Sequence, residues 1–90
     1  MSKALYAIET VKQTFVRTEF DGEGTEYVFE EPNLHYANIY DSGKEVLDTF
    51  LGIEEGNGSI QYKNYEGLLP LKIKSVQFVI NDVDVNELIE

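Results

Sequence analysis

The sequence predicts an α+β fold, in which an antiparallel β-sheet of five to six strands, built from two hairpins, carries one short α-helix on a face. Three observations support this class. Several segments alternate apolar and polar residues with the period of two that is typical of strands. Glycine-containing turns at residues 21–24 and 65–67 separate such segments. Residues 43–51 instead place apolar side chains on one helical face, and the 90-residue length predicts a single domain over residues 1–90.

The longest apolar-rich run, residues 68–81, predicts the central strand of the sheet. Its alternation changes phase once, because Leu71 and Ile73 belong to one side and Val76 to the other. A phase change requires either a bulge or the burial of both faces. Pro70 is compatible with the beginning of a strand, where no ladder hydrogen bond from its nitrogen is needed. We therefore expect the rest of the chain to pack around this segment.

The first segment, residues 4–20, supports two interpretations. Leu5, Ile8 and Val11 recur every three residues, as they would on one face of a helix. The second half is rich in β-branched and aromatic residues, which favour a pleated strand over a helix. We predict a strand that is interrupted near Lys12, with a short N-terminal helix as the alternative.

The next segments predict a hairpin and a further strand. Residues 21–24 contain two glycines between alternating stretches, which favours a hairpin loop. Residues 25–30 form its second strand, and Pro32 ends that strand because proline cannot donate to a ladder. Residues 34–40, LHYANIY, are short and aromatic, and they predict another strand.

The helix is predicted from its cap and its apolar stripe. Ser42 followed by Glu45 has the spacing of a capping box. Gly52 is placed to end the helix in a left-handed conformation, so the predicted helix covers about 43–51. The apolar stripe consists of Val46, Leu47, Phe50 and Leu51.

Two strands are predicted in the remaining chain. Residues 59–64 alternate, and the turn at 65–67 would fold them onto residues 68–81 as the second hairpin. After a two-residue turn at Asn81-Asp82, the tail alternates again and predicts a short strand around residues 83–85.

Composition argues against several kinds of chemistry. The chain has no cysteine, which excludes disulfides, thiolate metal sites and a thiol nucleophile. Its single histidine, His35, would need carboxylates as the other ligands of a zinc ion, which is a rare combination. Asp82, Asp84 and Asn86 have the spacing of calcium-loop ligands, but Glu87 stands where such a loop requires glycine. We therefore predict no metal, no cofactor and no catalytic residue.

Charge is the strongest compositional signal. The chain has 17 acidic and 7 basic residues, for a net charge of −10, and residues 21–60 contain ten acids against Lys44 alone. Such a block repels nucleic acid and attracts basic surfaces, so direct nucleic-acid binding is disfavoured. A net charge far from zero also keeps a small protein dispersed, so solubility alone is the alternative explanation.

The acidic stretch is interleaved with tyrosines, including Tyr40, and tyrosine is enriched at protein interfaces. Carboxylates spaced along a strand or a helix can also imitate the charge of a phosphate backbone. The predicted partner-binding residues are Glu23, Glu26, Tyr27, Glu30, Glu31, Tyr36, Asp41, Glu45, Asp48, Glu54 and Glu55.

These observations predict a non-catalytic binding or regulatory protein that uses residues 21–58 against the basic surface of another protein. In its sharpest form it is an inhibitor that mimics nucleic acid. In type the chain resembles small acidic proteins of phages and mobile elements, although no motif identifies a family. The alternative function is a small virion-type assembly component that pairs through sheet edges, and an enzyme is disfavoured.

The N-terminal residues, MSKALYAIET, lack the apolar core of a signal peptide, and no stretch approaches the roughly 20 apolar residues of a membrane span. We therefore expect a cytoplasmic protein, either a monomer or a small homo-oligomer, without membrane contacts.

Overall fold

The computed structural model describes residues 4–78 and 82–89. It confirms the α+β class: a five-stranded mixed sheet carries one main helix on one face. The strands are β1 (Leu5–Glu9), β2 (Phe15–Phe20), β3 (Thr25–Glu31), β4 (Gln61–Lys63) and β5 (Lys72–Val76). The helices are α1 (Gly43–Glu55) and the short α2 (Val85–Leu88), and a 3₁₀ turn covers Leu34–Tyr36.

The sheet has the order β4-β3-β2-β1-β5, and its neighbouring strands are antiparallel except β3 and β4. The first predicted hairpin is confirmed as β2 and β3. The carboxylate of Asp21 holds its loop by accepting hydrogen bonds from the backbone N–H groups of Glu23 and Thr25. Gly22 and Gly24 both adopt positive φ there, at 83° and 101°.

The second predicted hairpin is wrong. β4 pairs in parallel with β3, and β5 pairs with β1. The physical reason is the helix between β3 and β4, since a helical crossover lets the chain return in the direction of the strand before it. The turn at residues 65–67 then leads the chain across to the other end of the sheet, with Leu68 and Leu71 buried on the way.

The predicted central strand is also wrong in its position. β5 covers only part of residues 68–81, and in the described sheet it lies at the end of the strand order, beside β1. The register between β1 and β5 is continuous, so the change of phase comes without a bulge. Ile73 pairs with Ile8, whereas Val76 occupies the opposite face and is buried there. Residues 79–81 lie outside the described residues.

The interruption predicted near Lys12 is confirmed, and the helical alternative is wrong. β1 and β2 are joined by a turn in which Gln13 has a φ of 64°. Thr10 is buried, and its hydroxyl lies 2.6 Å from that of Thr14. The hydroxyl of Thr10 also accepts a hydrogen bond from the backbone N–H of Lys12, so the turn satisfies its own polar groups.

The strand predicted at residues 34–40 is wrong. The chain forms the 3₁₀ turn, and only Tyr40 pairs as a bridge, with two N–H···O bonds of 2.8 Å to Tyr6. Asn38 lies between the 3₁₀ turn and Tyr40. Its backbone N–H donates a hydrogen bond to the carbonyl oxygen of Val16, and its side-chain amide donates one to the hydroxyl of Thr18. This segment therefore connects β1 and β2 beyond the point where they pair directly.

The helix begins as predicted but ends later. The hydroxyl of Ser42 accepts a hydrogen bond from the N–H of Glu45, and the left-handed cap is Gly56, with a φ of 70°. Gly52 lies inside the helix and is buried. The helix continues past it because Ile53, two turns after Val46, belongs to the core.

The core lies between α1 and one face of the sheet, and it consists of Ile8, Val16, Val28, Val46, Ile53, Leu68 and Leu71. The tail is helical rather than a strand. Asp84 caps α2 by accepting a hydrogen bond from the N–H of Asn86, which the alternation of apolar residues did not reveal. Of the two-residue turn predicted before it, Asn81 lies outside the described residues.

Candidate functional site

Strand register determines which side chains share a face of the sheet, because directly paired residues point the same way. We call the face beneath α1 the covered face; Ile8, Val16 and Val28 belong to it. We call the opposite face the open face. Glu9 belongs to the open face, since it alternates with Ile8 along β1.

The basic residues of the five described strands all lie on the open face. Lys72 pairs with Glu9, and Lys74 follows it two residues later with its Nζ 3.9 Å from the carboxylate of Glu9. Phe15 pairs with Glu9 as well, which places Arg17 on the same side. Lys63 lies on the open face too. It pairs with Tyr27 of β3, and Tyr27 pairs with Glu19 of β2, which is two residues after Arg17 and therefore on the same face.

Acidic residues dominate the covered side. Glu26 and Glu30 belong to the covered face of β3, since they alternate with open-face Tyr27. α1 adds Glu45, Asp48, Glu54 and Glu55, against Lys44 as its one base. The open face also carries three acids, Glu9, Glu19 and Glu31, so its four bases leave it close to neutral. The net negative charge is therefore concentrated on the helix side of the sheet.

A groove of about 620 Å³ opens on this side, between α1 and the chain that leads into β4. Glu45, Asp48 and Thr49 line it from the helix, because residues three and four apart share a helical face. The rings of Tyr40 and Tyr62 contribute from the sheet. Leu51, Asn57, Gly58, Ser59 and Ile60 complete the lining.

Tyr62 lies against the helix because Gly52 has no side chain. A Cβ added at Gly52 would be 2.6 Å from Cε2 of Tyr62 and 3.3 Å from the carbonyl oxygen of Asn57. Gly52 stands on the same helical stripe, two turns after Glu45 and one turn after Asp48. The glycine therefore allows the ring to form one wall of the groove beside the two carboxylates.

The Tyr62 phenol has a perturbed acidity. Burial raises the pKa of Tyr62 above its ordinary value of 10.0, and the carboxylate of Glu26, on the neighbouring strand, raises it further. A hydrogen bond with Thr49 acts in the opposite direction, and the nearby Tyr40 adds a smaller increase. The phenol is therefore neutral at physiological pH and lies in a negative potential.

The two helical carboxylates of the groove differ in their neighbours. Asp48 accepts a hydrogen bond of 3.1 Å from Lys44, in an exposed pair one helical turn apart. Among the described residues, no basic group lies within 4 Å of the Glu45 carboxylate. An exposed salt bridge such as Lys44–Asp48 contributes little to stability, so Asp48 can exchange Lys44 for another cation. Both carboxylates are therefore accessible to a cation from outside the chain.

Three of the predicted partner-binding residues are thus brought near Tyr62: Glu45 and Asp48 line the groove with it, and Glu26 pairs with it from the neighbouring strand. Three others occupy the covered side without lining the groove. Glu30 lies towards the other end of β3, 3.7 Å from Lys12. Glu54 accepts a hydrogen bond from the backbone N–H of Leu71, which ties α1 to the start of β5, and Glu55 ends the helix.

The remaining predicted residues are dispersed. Tyr27 and Glu31 lie on the open face of β3. Glu23 belongs to the hairpin loop, Tyr36 to the 3₁₀ turn and Asp41 to the segment before α1. The eleven residues therefore do not form one continuous surface.

The list of predicted partner-binding residues omitted Tyr62, which was assigned to a hairpin strand outside the acidic stretch. It also omitted Thr49 and the loop residues 57–60, because only acids and tyrosines were selected. The signal that could have identified them is Gly52, a glycine inside a helix where alanine would favour helix formation. Such a glycine indicates the close approach of another group.

Comparison with protein-family models, curated proteins and solved structures finds no match for this chain. Within residues 4–78 and 82–89, no cluster of three or more histidine or carboxylate side chains is arranged to hold a metal ion. In the same residues, none of the helices has the length and apolar character needed to cross a membrane.

Proposed function

We propose that this protein is a non-catalytic binding protein whose acidic covered side docks on a basic surface of another protein. The observation that supports this is the uneven distribution of charge across the sheet. Six carboxylates of β3 and α1 lie on the covered side with Lys44 as the one base of these two elements, while on the open face the four bases of the described strands offset the carboxylates of Glu9, Glu19 and Glu31. Complementary potentials of this kind accelerate association and select the partner.

A nucleic-acid-binding protein is the partner that this surface suits best. The nucleic-acid-binding groove of such a partner is basic, so carboxylates on the covered side of this protein can occupy that groove as phosphates would.

The test compares three immobilised baits in a lysate of the source cells. The first bait is the wild type. The second is the groove variant, which carries the substitutions Glu26→Gln, Glu45→Gln and Asp48→Asn.

The third bait is a control with the same net charge, in which Glu19, Glu66 and Glu87 are changed to glutamine. These three lie outside the groove and are exposed. We expect partners that the wild type and the control retain and the groove variant loses, and we expect capture to fall steeply between about 50 and 200 mM salt because surface charges are screened. Equal recovery by all three baits would exclude the proposal.

A second candidate, an assembly component, is favoured by the tail. Its apolar side chains at Val83, Val85, Leu88 and Ile89 are between 57% and 73% exposed. Exposed apolar patches indicate association surfaces. This candidate predicts oligomers that light scattering detects in high salt and that disappear when Leu88 and Ile89 are changed to serine.

A further inference from the structure

We propose that the groove between α1 and β4 binds an arginine side chain of the partner, with the guanidinium against the rings of Tyr40 and Tyr62 and beside the carboxylates of Glu45 and Asp48. This inference rests on the proposed function and specifies its point of contact. The occupant is a cationic side chain from another protein, because the groove is negatively charged and has the size and apolar lining that such a side chain requires.

The size and lining of the groove fit such an occupant. Its volume of about 620 Å³ lies within the range of sites that enclose a small ligand, so it admits a side chain with its flanking backbone. Leu51, Ile60 and the two tyrosine rings provide apolar contact for the methylene stem, as long cationic side chains require. The carboxylates stand at the helical wall, where the charged end would lie.

Arginine suits the groove better than lysine. Its planar guanidinium stacks on aromatic rings, donates to carboxylates in parallel pairs and is more weakly hydrated than an ammonium group. Glu45 and Asp48 are separated by one helical turn and can be bridged by a planar donor. Glu26, beside Tyr62, adds negative potential behind the ring.

The described residues of the chain do not supply this cation. Lys44 pairs with Asp48 at 3.1 Å, but it does not line the groove, and both side chains are largely exposed. The bases of the strands lie on the open face. The apolar tail is an unsuitable occupant as well, because Asp82, Asp84 and Glu87 accompany it and would be repelled by the groove.

The test titrates the full protein with three capped tripeptides, Gly-Arg-Gly, Gly-Lys-Gly and Gly-citrulline-Gly, followed by NMR. Citrulline keeps the shape of arginine without its charge, and lysine keeps the charge without the planar donor. We expect the ring signals of Tyr40 and Tyr62 to shift with arginine, more weakly with lysine and least with citrulline. A bound guanidinium should also lower the pKa of Tyr62, since a nearby cation favours the phenolate.

The matched variants are Glu45→Gln in the groove and Glu66→Gln outside it. Loss of the charge-assisted bond should weaken arginine binding about fivefold to tenfold for Glu45→Gln, and the control should leave it unchanged. Equal shifts for the three peptides, or shifts spread over all exposed carboxylates, would overturn the inference.

The two proposals fail in different ways. If the arginine peptide does not shift the tyrosines but the groove variant still loses its lysate partners, only the arginine site is excluded. If the peptide binds in the groove but the three baits recover the same proteins, the docking function is excluded while the arginine site stands.

Discussion

The covered face and the open face of the sheet are built from the same strands, but the covered face forms the apolar core and the open face carries mostly charged contacts. Under α1, Ile8, Val16 and Val28 are at most 2% exposed and form the centre of the core. On the open face Ala7 and Val76 are buried, and the strand positions around them carry charge pairs and a cation–π contact. Alternation in β1 and β2 assigns each residue to one of these roles.

This difference indicates how stability and the proposed binding surface are divided between parts of the same helix. The apolar stripe of α1, with Val46 and Ile53, covers the sheet, while the adjacent stripe with Glu45 and Asp48 faces the groove. One helix therefore contributes to the core and to the acidic surface at once. Changes on the first stripe should affect unfolding, and charge changes on the second should affect binding.

The largest effect is expected from removing a core side chain of the covered face. Ile8→Ala should lower the free energy of unfolding by about 2–5 kcal/mol, since it removes buried methyl groups and leaves a cavity beneath the helix. Leu5→Ala, on the open face of the same strand, is the matched control and should cost less because Leu5 is only partly buried. Urea unfolding of both variants measures the difference, and equal losses would contradict the distinction between the two faces.

An intermediate effect is expected from Gly52→Ala, where two contributions compete. Alanine favours a helix interior over glycine by about 1 kcal/mol. The added methyl group would collide with the Tyr62 ring, and such overpacking costs about 1–3 kcal/mol. We expect the clash to prevail, with a net loss of up to about 2 kcal/mol and a displaced ring.

Gly43→Ala is the control for this change. Gly43 starts the same helix, and an added Cβ meets no atom within 4 Å there. Its substitution should be neutral or slightly stabilising in thermal unfolding. A stabilised Gly52→Ala protein with unshifted Tyr62 signals would show that the ring does not depend on the glycine.

Local patterns were sufficient to predict the elements whose contacts are near in sequence. The loop glycines identified the first hairpin, and Ser42 with Glu45 identified the start of α1. The end of the helix was missed because a glycine can close a helix or admit a neighbouring ring, and only the position of Tyr62 distinguishes the two. The pairing of β4 was missed since alternation gives the face of a strand but not its neighbour.

The candidate site was predictable only in part for the same reason. Sequence reasoning could select Glu26, Glu45 and Asp48 as acidic residues near tyrosines, but six other predicted acids satisfied that criterion equally. The selection comes from a parallel crossover, which brings β4 and its Tyr62 beside Glu26. The only local sign of that long-range contact is Gly52, which by itself does not say which group approaches the helix.

The smallest effect is expected from the charge contacts at the surface. Arg17 lies 4.5 Å from the centre of the Phe29 ring and pairs with Glu19, with about a third of its side chain exposed. Arg17→Met keeps the stem and removes the charge, so it should cost about 0.5–1 kcal/mol. The matched change on the covered side is Lys44→Met. Lys44 pairs with Asp48, and the Lys44 side chain is 86% exposed.

Lys44→Met should cost at most about 0.5 kcal/mol, because an exposed pair one turn apart gains little and is screened by salt. The two variants can be compared by thermal unfolding at low and high salt. Arg17→Met should retain much of its deficit in high salt, since the contact with Phe29 excludes part of the solvent, whereas the deficit of Lys44→Met should vanish. Identical salt dependence would mean that the open-face cation is held by charge alone and that the aromatic ring beneath it adds nothing.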